Sequence, residues 1–288
     1  MRTAVIISHH PCQDGFAAAT IMRRHLKKDP GLMHIAWYAG VYGYQPPPEI
    51  DHETDVYILD FSYPPEVMLQ IAEKCRHLVW IDHHQTAIEA MSDFTFKHGF
   101  VGGVLPNSTF VLSSTNSASG AMLTYHFCSK GRVPYIIQAI DDRDRWQFKL
   151  KGTREITAYG FSLDMTFDEY ESWIFGPCSL AMISTGEALM RSQRKNCLEL
   201  KGSARRVSPD LTIINAPYFL VSELGNMLAS AEGAPKVVAL YSYESDGIRV
   251  SLRSVGDNDV SKIAKRFGGG GHRNAAGFSG ADRSINQL

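Results

Sequence analysis

Short hydrophobic runs that stop abruptly at acids and histidines recur along the first half of the chain. Thr3 to Ser8, Val56 to Leu59 and Val79 to Ile81 are rich in β-branched residues and too short for helices, which predicts buried strands. Segments with helical spacing follow, beginning near Phe16 and Pro65. Alternating strands and helices predict an α/β domain with a doubly wound, mainly parallel sheet.

The polar residues that end these runs are candidates for a metal site. His9 and Asp14 follow the first run, Asp60 follows the second, and the third leads into Asp82-His83-His84. In open α/β sheets the carboxyl ends of the strands form the ligand-binding edge. Acids gathered there need a cation to offset their charge, and an Asp-His-His triplet suits Mn, Fe, Co or Zn.

A fourth acidic segment follows a predicted helix from Pro134 to Ile140. The sequence DDRDRW, from Asp141 to Trp146, holds three acids and two arginines. These residues form either a solvated salt-bridge face or a fourth segment that faces the metal.

The composition changes after a helical stretch between about Thr166 and Arg206. Beyond it, Leu211 to Asn215, Val237 to Tyr243 and Ile248 to Leu252 resemble strands, with a hairpin turn before the last. We predict a catalytic domain over 1–176, a helical linker over 177–206 and a smaller α/β substrate-binding domain over 207–288. Met33 to Tyr38 is a further predicted strand of the first domain, and a helix is predicted over the segment VSKIAKRF.

Four consecutive glycines, 268–271, follow that helix and precede His272 and Arg273. Without Cβ atoms, a backbone can bring its N–H groups close to a phosphate, and the two cationic side chains would add charge-assisted bonds. The alternative is a flexible glycine tract. Its position between a helix and an apolar segment favours a phosphate site.

Composition limits the function classes. The net charge of −1 argues against holding long nucleic acid through bulk charge. Five scattered cysteines without a CxxC pair are typical of reduced thiols, and no apolar stretch reaches the roughly 18 residues of a membrane span. We therefore expect a soluble cytoplasmic protein. The absence of GxxxxGK[ST] and GxGxxG argues against nucleotide-driven kinases and dinucleotide oxidoreductases.

Taken together, the segments resemble the DHH phosphoesterase superfamily, in its DHH–DHHA1 subgroup of RecJ-like exonucleases and of oligonucleotide and cyclic-nucleotide phosphodiesterases. The similarity extends over nearly the whole chain and rests on six motifs in order. They are HHPCQDGFAAA, YILDFS, IDHHQTA, DDRDRW, SLRS and GGGGHRNAAGF.

The resemblance implies a two-metal site and an active-site cleft between the two domains. It implies metal ligands at His9, Asp14, Asp60, His83 and Asp142, with Asp144 as the alternative to Asp142. His84 would face the substrate phosphate, Asp82 would orient the histidines, and Asp60 would bridge both ions. The residues implied in substrate binding are Arg253, Gly269, Gly270, Gly271, His272 and Arg273.

The first loop departs from the commoner family pattern, in which two aspartates separated by one residue follow the histidine. One of these acids is missing, Cys12 and Gln13 lie nearby, and His9 and His10 are alternative ligands. This leaves the occupancy of one metal position open.

The implied function is a Mn²⁺-dependent phosphodiesterase that acts on short oligonucleotides or on linear or cyclic dinucleotides and releases nucleoside monophosphates. Two ions are expected, with Mg²⁺, Co²⁺ or Fe²⁺ as alternatives to manganese. The alternative functions are a phosphatase for bisphosphorylated nucleotides or phosphoanhydrides, and a catalytically silent nucleic-acid-binding relative. The expected partner is a short nucleic acid or nucleotide, with no membrane, and a homodimer is one option for the oligomeric state.

Overall fold

A five-stranded parallel sheet lies at the centre of the first part of the chain, in a computed structural model that describes residues 2–113, 117–245 and 247–280. Its strands are β1 (Arg2–His9), β2 (Leu32–Gly40), β3 (Thr54–Leu59), β4 (His77–Asp82) and β5 (Ser108–Leu112). They are ordered β2-β1-β3-β4-β5, and every neighbouring pair is parallel. The strand order reverses direction at β1 and β3, as in doubly wound folds, so the predicted fold class is confirmed.

Hydrophobic side chains cover both faces of this sheet, as expected for parallel strands. Ala4 and Ile6 point to one hydrophobic cluster, whereas Val5 and Ile7 point to the other. Four of the helices that contribute to the first cluster are α1 (Gln13–Leu26), α4 (Gly120–Cys128), α5 (Tyr135–Asp144) and α6 (Thr153–Gly160). A further helix of that cluster is α7 (Phe167–Phe175), and the second cluster includes α2 (Pro65–Lys74) and α3 (Gln85–Lys97).

The chain divides into two compact units, Met1–Leu189 and Met190–Leu288. Helix α8 (Leu180–Lys201) contains the point of division. It lies within the 177–206 segment that we predict as a linker, and the domain bounds at 176 and 206 remain a prediction.

The second unit has its own six-stranded sheet, in the order β10-β11-β9-β8-β7-β6. Its strands are β6 (Arg205–Ser208), β7 (Leu211–Asn215), β8 (Val237–Glu244), β9 (Gly247–Arg253), β10 (Gly270–His272) and β11 (Ala275–Gly280). The β7–β8 pair is parallel and the other pairs are antiparallel. The helices α9 (Val221–Ala229) and α10 (Val260–Arg266) complete the unit, and 3₁₀ turns occur at Val101–Gly103 and Tyr218–Leu220.

The strands predicted from hydrophobic runs are all present, but several elements were not predicted. Helices α3, α6 and α9 are absent from the sequence-based assignment, as are the short strands β6, β10 and β11. The hairpin between β8 and β9 is confirmed by their antiparallel pairing, although Asp246 in its turn lies outside the described residues. Over the described part of the chain, the structure contains no helix with the length and apolar character needed to cross a membrane.

Candidate metal centre

The candidate site lies at the carboxyl ends of β1, β3 and β4, where the strand order reverses. His9 is the last residue of β1, Asp60 directly follows β3, and Asp82 ends β4. Parallel neighbours end at the same edge of a sheet, so this topology brings together residues that are up to 73 positions apart in the chain. The convergence predicted from the three strand ends is therefore present.

The loop after β1 turns directly into helix α1. Cys12 occupies the N-cap position with extended backbone angles, and Asp14 lies in the first helical turn. Gly15 is needed for this tight turn, because a Cβ atom there would lie 2.5 Å from the His9 carbonyl oxygen. The turn places His9 and Asp14 on the same side of the sheet edge.

Asp60 is the central residue of the site. Its backbone has φ = 53°, a left-handed conformation that Asp and Asn tolerate better than most residues. Its N–H donates to the Ile81 carbonyl at 2.8 Å, which fixes the turn against β4. Only 1% of Asp60 is exposed, so its carboxylate is held inside the protein.

The two carboxylate oxygens of Asp60 face different groups of donors. Oδ1 lies 3.0 Å from His83 Nε2 and 3.8 Å from His84 Nδ1. Oδ2 lies 3.7 Å from His9 Nδ1 and 3.6 Å from the Cys12 thiol. This arrangement is suited to a carboxylate that bridges two cations.

His83 lies among three acids. Its Nε2 atom is 3.0 Å from Asp60, 3.5 Å from Asp144 and 3.9 Å from Asp14. Ligand atoms of Asp14, Asp60 and His83 all lie within 4.8 Å of one another, and all three residues are buried. A single cation could therefore be reached by all three side chains.

Asp82 orients the histidine pair. Its Oδ1 atom accepts the backbone N–H groups of His83 and His84 at 2.7 and 3.1 Å. It also lies 2.7 Å from His84 Nδ1, so the His84 ring is fixed by the same oxygen. This arrangement fits the implied orienting role of Asp82, which is completely buried.

The structure separates the two alternatives, His9 and His10, in the first loop. His9 Nδ1 faces Asp60, as described above, whereas the His10 ring packs edge-on against Trp37 at 5.6 Å between centroids. Burial lowers the pKa of His10, and the neighbouring His9 lowers it further. His9 is therefore the histidine of this loop that lies among the candidate metal ligands around Asp60. This group of candidate ligands is called the cluster below.

Asp142 is not brought into the cluster, and Asp144 takes the place that we assign to it from the sequence. The Asp142 carboxylate accepts the backbone N–H groups of Lys149 and Leu150 at 2.9 and 3.0 Å and the Thr153 hydroxyl at 2.6 Å. These bonds tie it to the turn that follows helix α5. Asp144, two residues later, points to His83 instead.

The sequence predicts a helix that follows Ser119 and Gly120, and α4 confirms it, but sequence reasoning missed the contacts of this helix start with Asp14 and Asp60. The Ser119 hydroxyl donates to Asp14 Oδ1 at 2.6 Å, and the Ala121 N–H donates to the same oxygen at 3.1 Å. Gly120 lies between them, and a Cβ atom there would lie 2.6 Å from Asp60 Cβ and 3.0 Å from Asp14 Oδ2. The only signal in the sequence is a serine and a glycine before a helix, which is typical of an ordinary helix start.

The electrostatics of the cluster favour an added positive charge. Burial raises the pKa of Asp14, and the charges of Asp60 and Asp144 raise it further. Burial also opposes the charge on Asp60, but the hydrogen bond with His83 and the nearby His9 outweigh it and hold the Asp60 pKa well below its usual range. Burial acts against a charged His83, yet Asp144 and Asp60 raise its pKa well above normal. Asp14, Asp60 and Asp144 thus repel one another when charged, and a divalent cation would relieve this repulsion.

Unpartnered polar atoms show that the residues present fit a metal ion. Among the described residues, Asp14 Oδ2 and His9 Nδ1 are buried atoms without a hydrogen-bond partner. Buried polar atoms are normally satisfied, so such atoms indicate a missing partner. Carboxylate and imidazole groups are the donors that divalent transition metals prefer.

Comparisons with known proteins identify the family of the chain. Residues 220–288 match the DHHA1 domain family. The chain is 30% identical over 298 residues to an uncharacterised protein of Acanthamoeba polyphaga mimivirus, which covers 96% of this chain and 68% of that protein. The chain belongs to the DHH–DHHA1 phosphoesterase superfamily.

Two further similarities lie within the same superfamily. A stretch of 62 residues, 21% of the chain, is 48% identical to the oligoribonuclease NrnB of Bacillus subtilis and covers 15% of that protein. The fold is similar to that of RecJ from Thermus thermophilus, solved in complex with Mn²⁺, with a TM-score of 0.54 at 13% identity. This similarity covers 99% of the chain and 50% of RecJ.

The DHHA1 part contains the predicted substrate-binding residues on β9, on β10 or next to β10 in the chain. His272 on β10 pairs with Ala275 on β11, and Ala275 pairs with Arg253 on β9. Residues that are directly opposite one another share a face of the sheet, so His272 and Arg253 lie in one row across it. The Arg253 guanidinium donates to the Ser222 hydroxyl at 3.2 Å, and that of Arg273 donates to the Asp257 carbonyl at 2.8 Å.

The glycine tract of the DHHA1 part is packed into the sheet and does not form a flexible loop. A Cβ atom at Gly269 would lie 2.1 Å from the Gly277 carbonyl oxygen. One at Gly271, where φ is 134°, would lie 2.6 Å from the Ala275 carbonyl oxygen. Close approach to β11 therefore requires glycine at these two positions, whether or not they also contact a phosphate.

Proposed function

We propose that this protein is a metal-dependent phosphodiesterase that hydrolyses short oligonucleotides or linear or cyclic dinucleotides to nucleoside monophosphates. The observation that carries the proposal is the Asp60 carboxylate, whose two oxygens face two separate groups of metal-ligating side chains. A site built for two cations around one carboxylate is typical of enzymes that cleave phosphate esters.

The residues around Asp60 would hold two cations, with Mn²⁺ as the expected ion. Asp14, His83 and Asp144 lie on the Oδ1 side, and His9 lies on the Oδ2 side. When bound, such ions lower the pKa of a water molecule and offset the charge of the phosphoryl group. The fixed orientation of the donors comes from the fold, because Asp14 is held by Ser119.

His84 is the proposed contact to the substrate phosphate. Its ring lies beside Asp60 and is fixed by the bond between its Nδ1 atom and Asp82. A ring held in one orientation loses little entropy when it binds a substrate, which is the advantage of a preorganised site. Asp82 acts through His84, and we assign it a positioning role.

The nucleotide specificity is inferred for the DHHA1 part. Arg253, His272 and Arg273 are the groups proposed to bind the phosphates and the nucleotide, with the N–H groups of 269–271. The near-neutral charge of the chain supports a small substrate, because long strands are usually held by many basic contacts. The similarity to an oligoribonuclease over 62 residues supports the same class of substrate.

A substrate panel tests the proposal. The full-length protein with Mn²⁺ would be incubated with linear and cyclic dinucleotides, a five-nucleotide RNA, a strand of about twenty nucleotides, a nucleoside bisphosphate and pyrophosphate. Products would be identified by mass spectrometry, with Asp60→Asn as the inactive control. We expect nucleoside monophosphates from the dinucleotides and the pentamer, with initial rates that fall as the strand lengthens.

Two results would contradict the proposal. Release of inorganic phosphate alone, from the bisphosphate or from pyrophosphate, would indicate a phosphatase. Rates that stay flat or rise with strand length, at two ionic strengths, would indicate a processive exonuclease of the RecJ type.

A further inference from the structure

The donors on the two sides of Asp60 differ in chemistry. On the Oδ1 side they are carboxylates and an imidazole, from Asp14, Asp144 and His83, whereas the nearby His84 Nδ1 atom is bonded to Asp82. On the Oδ2 side, the ligand atoms of His9, Cys12 and Asp60 all lie within 4.8 Å of one another. The second group therefore offers one nitrogen, one sulfur and one oxygen.

The Cys12 thiol is directed to this group of side chains. Cys12 is the N-cap residue of α1, but its side chain makes no capping hydrogen bond. The thiol donates instead to Asp60 Oδ2 at 3.6 Å. On the same side, the buried His9 Nδ1 atom has no hydrogen-bond partner among the described residues.

The other four cysteines have ordinary environments. The Cys75 and Cys128 thiols contact the Ala72 carbonyl and the Met22 sulfur, each at 3.9 Å. Cys197 is buried in a hydrophobic cluster, and Cys178 is exposed. Within the described part of the structure, Cys12 is thus the one cysteine whose thiol donates to an acid of the candidate site.

We propose that Cys12 is a thiolate ligand of one of the two metal ions, and that it makes this position select Zn²⁺, Co²⁺ or Fe²⁺ over Mg²⁺ and Mn²⁺. The inference rests on the proposed function, since it concerns the same metal centre. On binding, the S–H bond breaks, the metal–sulfur bond forms, and the proton passes to the solvent. Soft thiolates and imidazoles favour zinc and iron, whereas carboxylates suit magnesium and manganese. The centre would therefore hold two different ions, with Mn²⁺ on the Oδ1 side only and a softer ion on the Oδ2 side.

Cobalt reports directly on the sulfur ligand. The full-length protein would be stripped of metal with a chelator, checked by far-UV circular dichroism and titrated with Co²⁺. A bound thiolate gives a sulfur-to-cobalt charge-transfer band in the near ultraviolet. We expect the band in the wild type and in Cys178→Ser, the exposed control, and we expect its loss in Cys12→Ser.

Metal competition gives the second measurement. Cys12→Asp replaces the sulfur by an oxygen donor and should still bind two equivalents of metal. The preference for Zn²⁺ over Mn²⁺, measured by competitive titration, should fall at least about tenfold in both Cys12 variants, since even the loss of a group that only orients a ligand costs about ten- to hundredfold in metal affinity.

The failures of the two proposals can be distinguished. A cobalt band and a Zn²⁺ preference that stay unchanged in Cys12→Ser would overturn the role of Cys12, even if the enzyme hydrolyses dinucleotides. A band that depends on Cys12, in a protein that cleaves no phosphoester, would support the ligand and refute the proposed function.

Discussion

Two buried aspartates, Asp60 and Asp142, both have lowered pKa values, but their partners differ. For Asp142, burial opposes the charge, and the Thr153 hydroxyl with two backbone amides outweighs it. For Asp60, burial is outweighed mainly by imidazoles. Backbone amides are fixed parts of the fold, whereas imidazoles are themselves metal ligands. Burial and a lowered pKa therefore do not by themselves identify an aspartate that binds metal. The chemical type of the groups that contact it does.

The largest expected effect comes from Asp60→Asn. Asparagine keeps the shape and tolerates the positive φ, but it removes the charge shared by both groups of donors. We expect phosphodiesterase activity to fall by about 10²-fold or more, with the fold retained. Turnover on a dinucleotide and Mn²⁺ binding by calorimetry would measure it.

A matched control for this variant is Asp55→Asn on the same strand. Asp55 is also buried, but its partner is Arg76, 2.7 Å away at the opposite end of β3. This variant should keep its activity and metal binding. Near-normal turnover by metal-loaded Asp60→Asn would refute the two-metal interpretation.

The pair Asp144→Asn and Asp142→Asn separates metal binding from stability. Asp144→Asn removes an acid that faces His83, so metal affinity should fall about ten- to hundredfold with little loss of stability. Asp142→Asn places an amide N–H₂ group against donors from Lys149, Leu150 or Thr153. This should lower the free energy of unfolding by about 1–3 kcal/mol and leave metal affinity unchanged.

Calorimetric metal titrations and urea unfolding of both proteins would test this pair. The opposite pattern, with metal affinity lost in Asp142→Asn and stability lost in Asp144→Asn, would indicate that Asp142 is the metal ligand and that Asp144 is not.

The strand ends were predictable from the sequence because their signals are local. A short apolar run followed by an acid or histidine indicates both the strand and its edge, as for Asp60 and His83. The choice between Asp142 and Asp144 was not predictable. It depends on where α5 ends and on the turn back to Thr153, which spacing alone does not reveal.

Contacts between distant segments also escaped prediction. Gly120 is required because Asp60 and Asp14, from two other loops, pack against it. Gly269 and Gly271 are required by the close approach of β11, whereas the sequence alone suggested a phosphate site or a flexible tract. In both cases the reason for glycine lies in a neighbour that is remote in sequence or on another strand.

The smallest expected effect extends the comparison to a third acid, Asp259, which has only structural partners. It is the N-cap of α10, and its Oδ1 atom accepts the Ser261 N–H at 3.1 Å and the Ser261 hydroxyl at 2.6 Å. Asp259→Ala should lower the free energy of unfolding by about 1 kcal/mol, the usual effect of removing an N-cap side chain. Asp259→Asn keeps a good N-cap and should lower it by less. Far-UV circular dichroism with urea and hydrogen exchange of the α10 peptide would measure both changes.

The effect of Asp259→Ala should depend on pH with a definite sign. Burial raises the Asp259 pKa, but the hydrogen bonds with Ser261 outweigh it, so the folded-state pKa lies below the ordinary value of 3.8. A lowered pKa stabilises the folded protein above the unfolded-state value, and this contribution is lost as the pH falls through the folded-state value. The difference between wild type and Asp259→Ala should therefore be complete at neutral pH and shrink below about pH 4. If the difference in stability between wild type and Asp259→Ala stayed constant below about pH 4, the charge of Asp259 would contribute nothing to the N-cap.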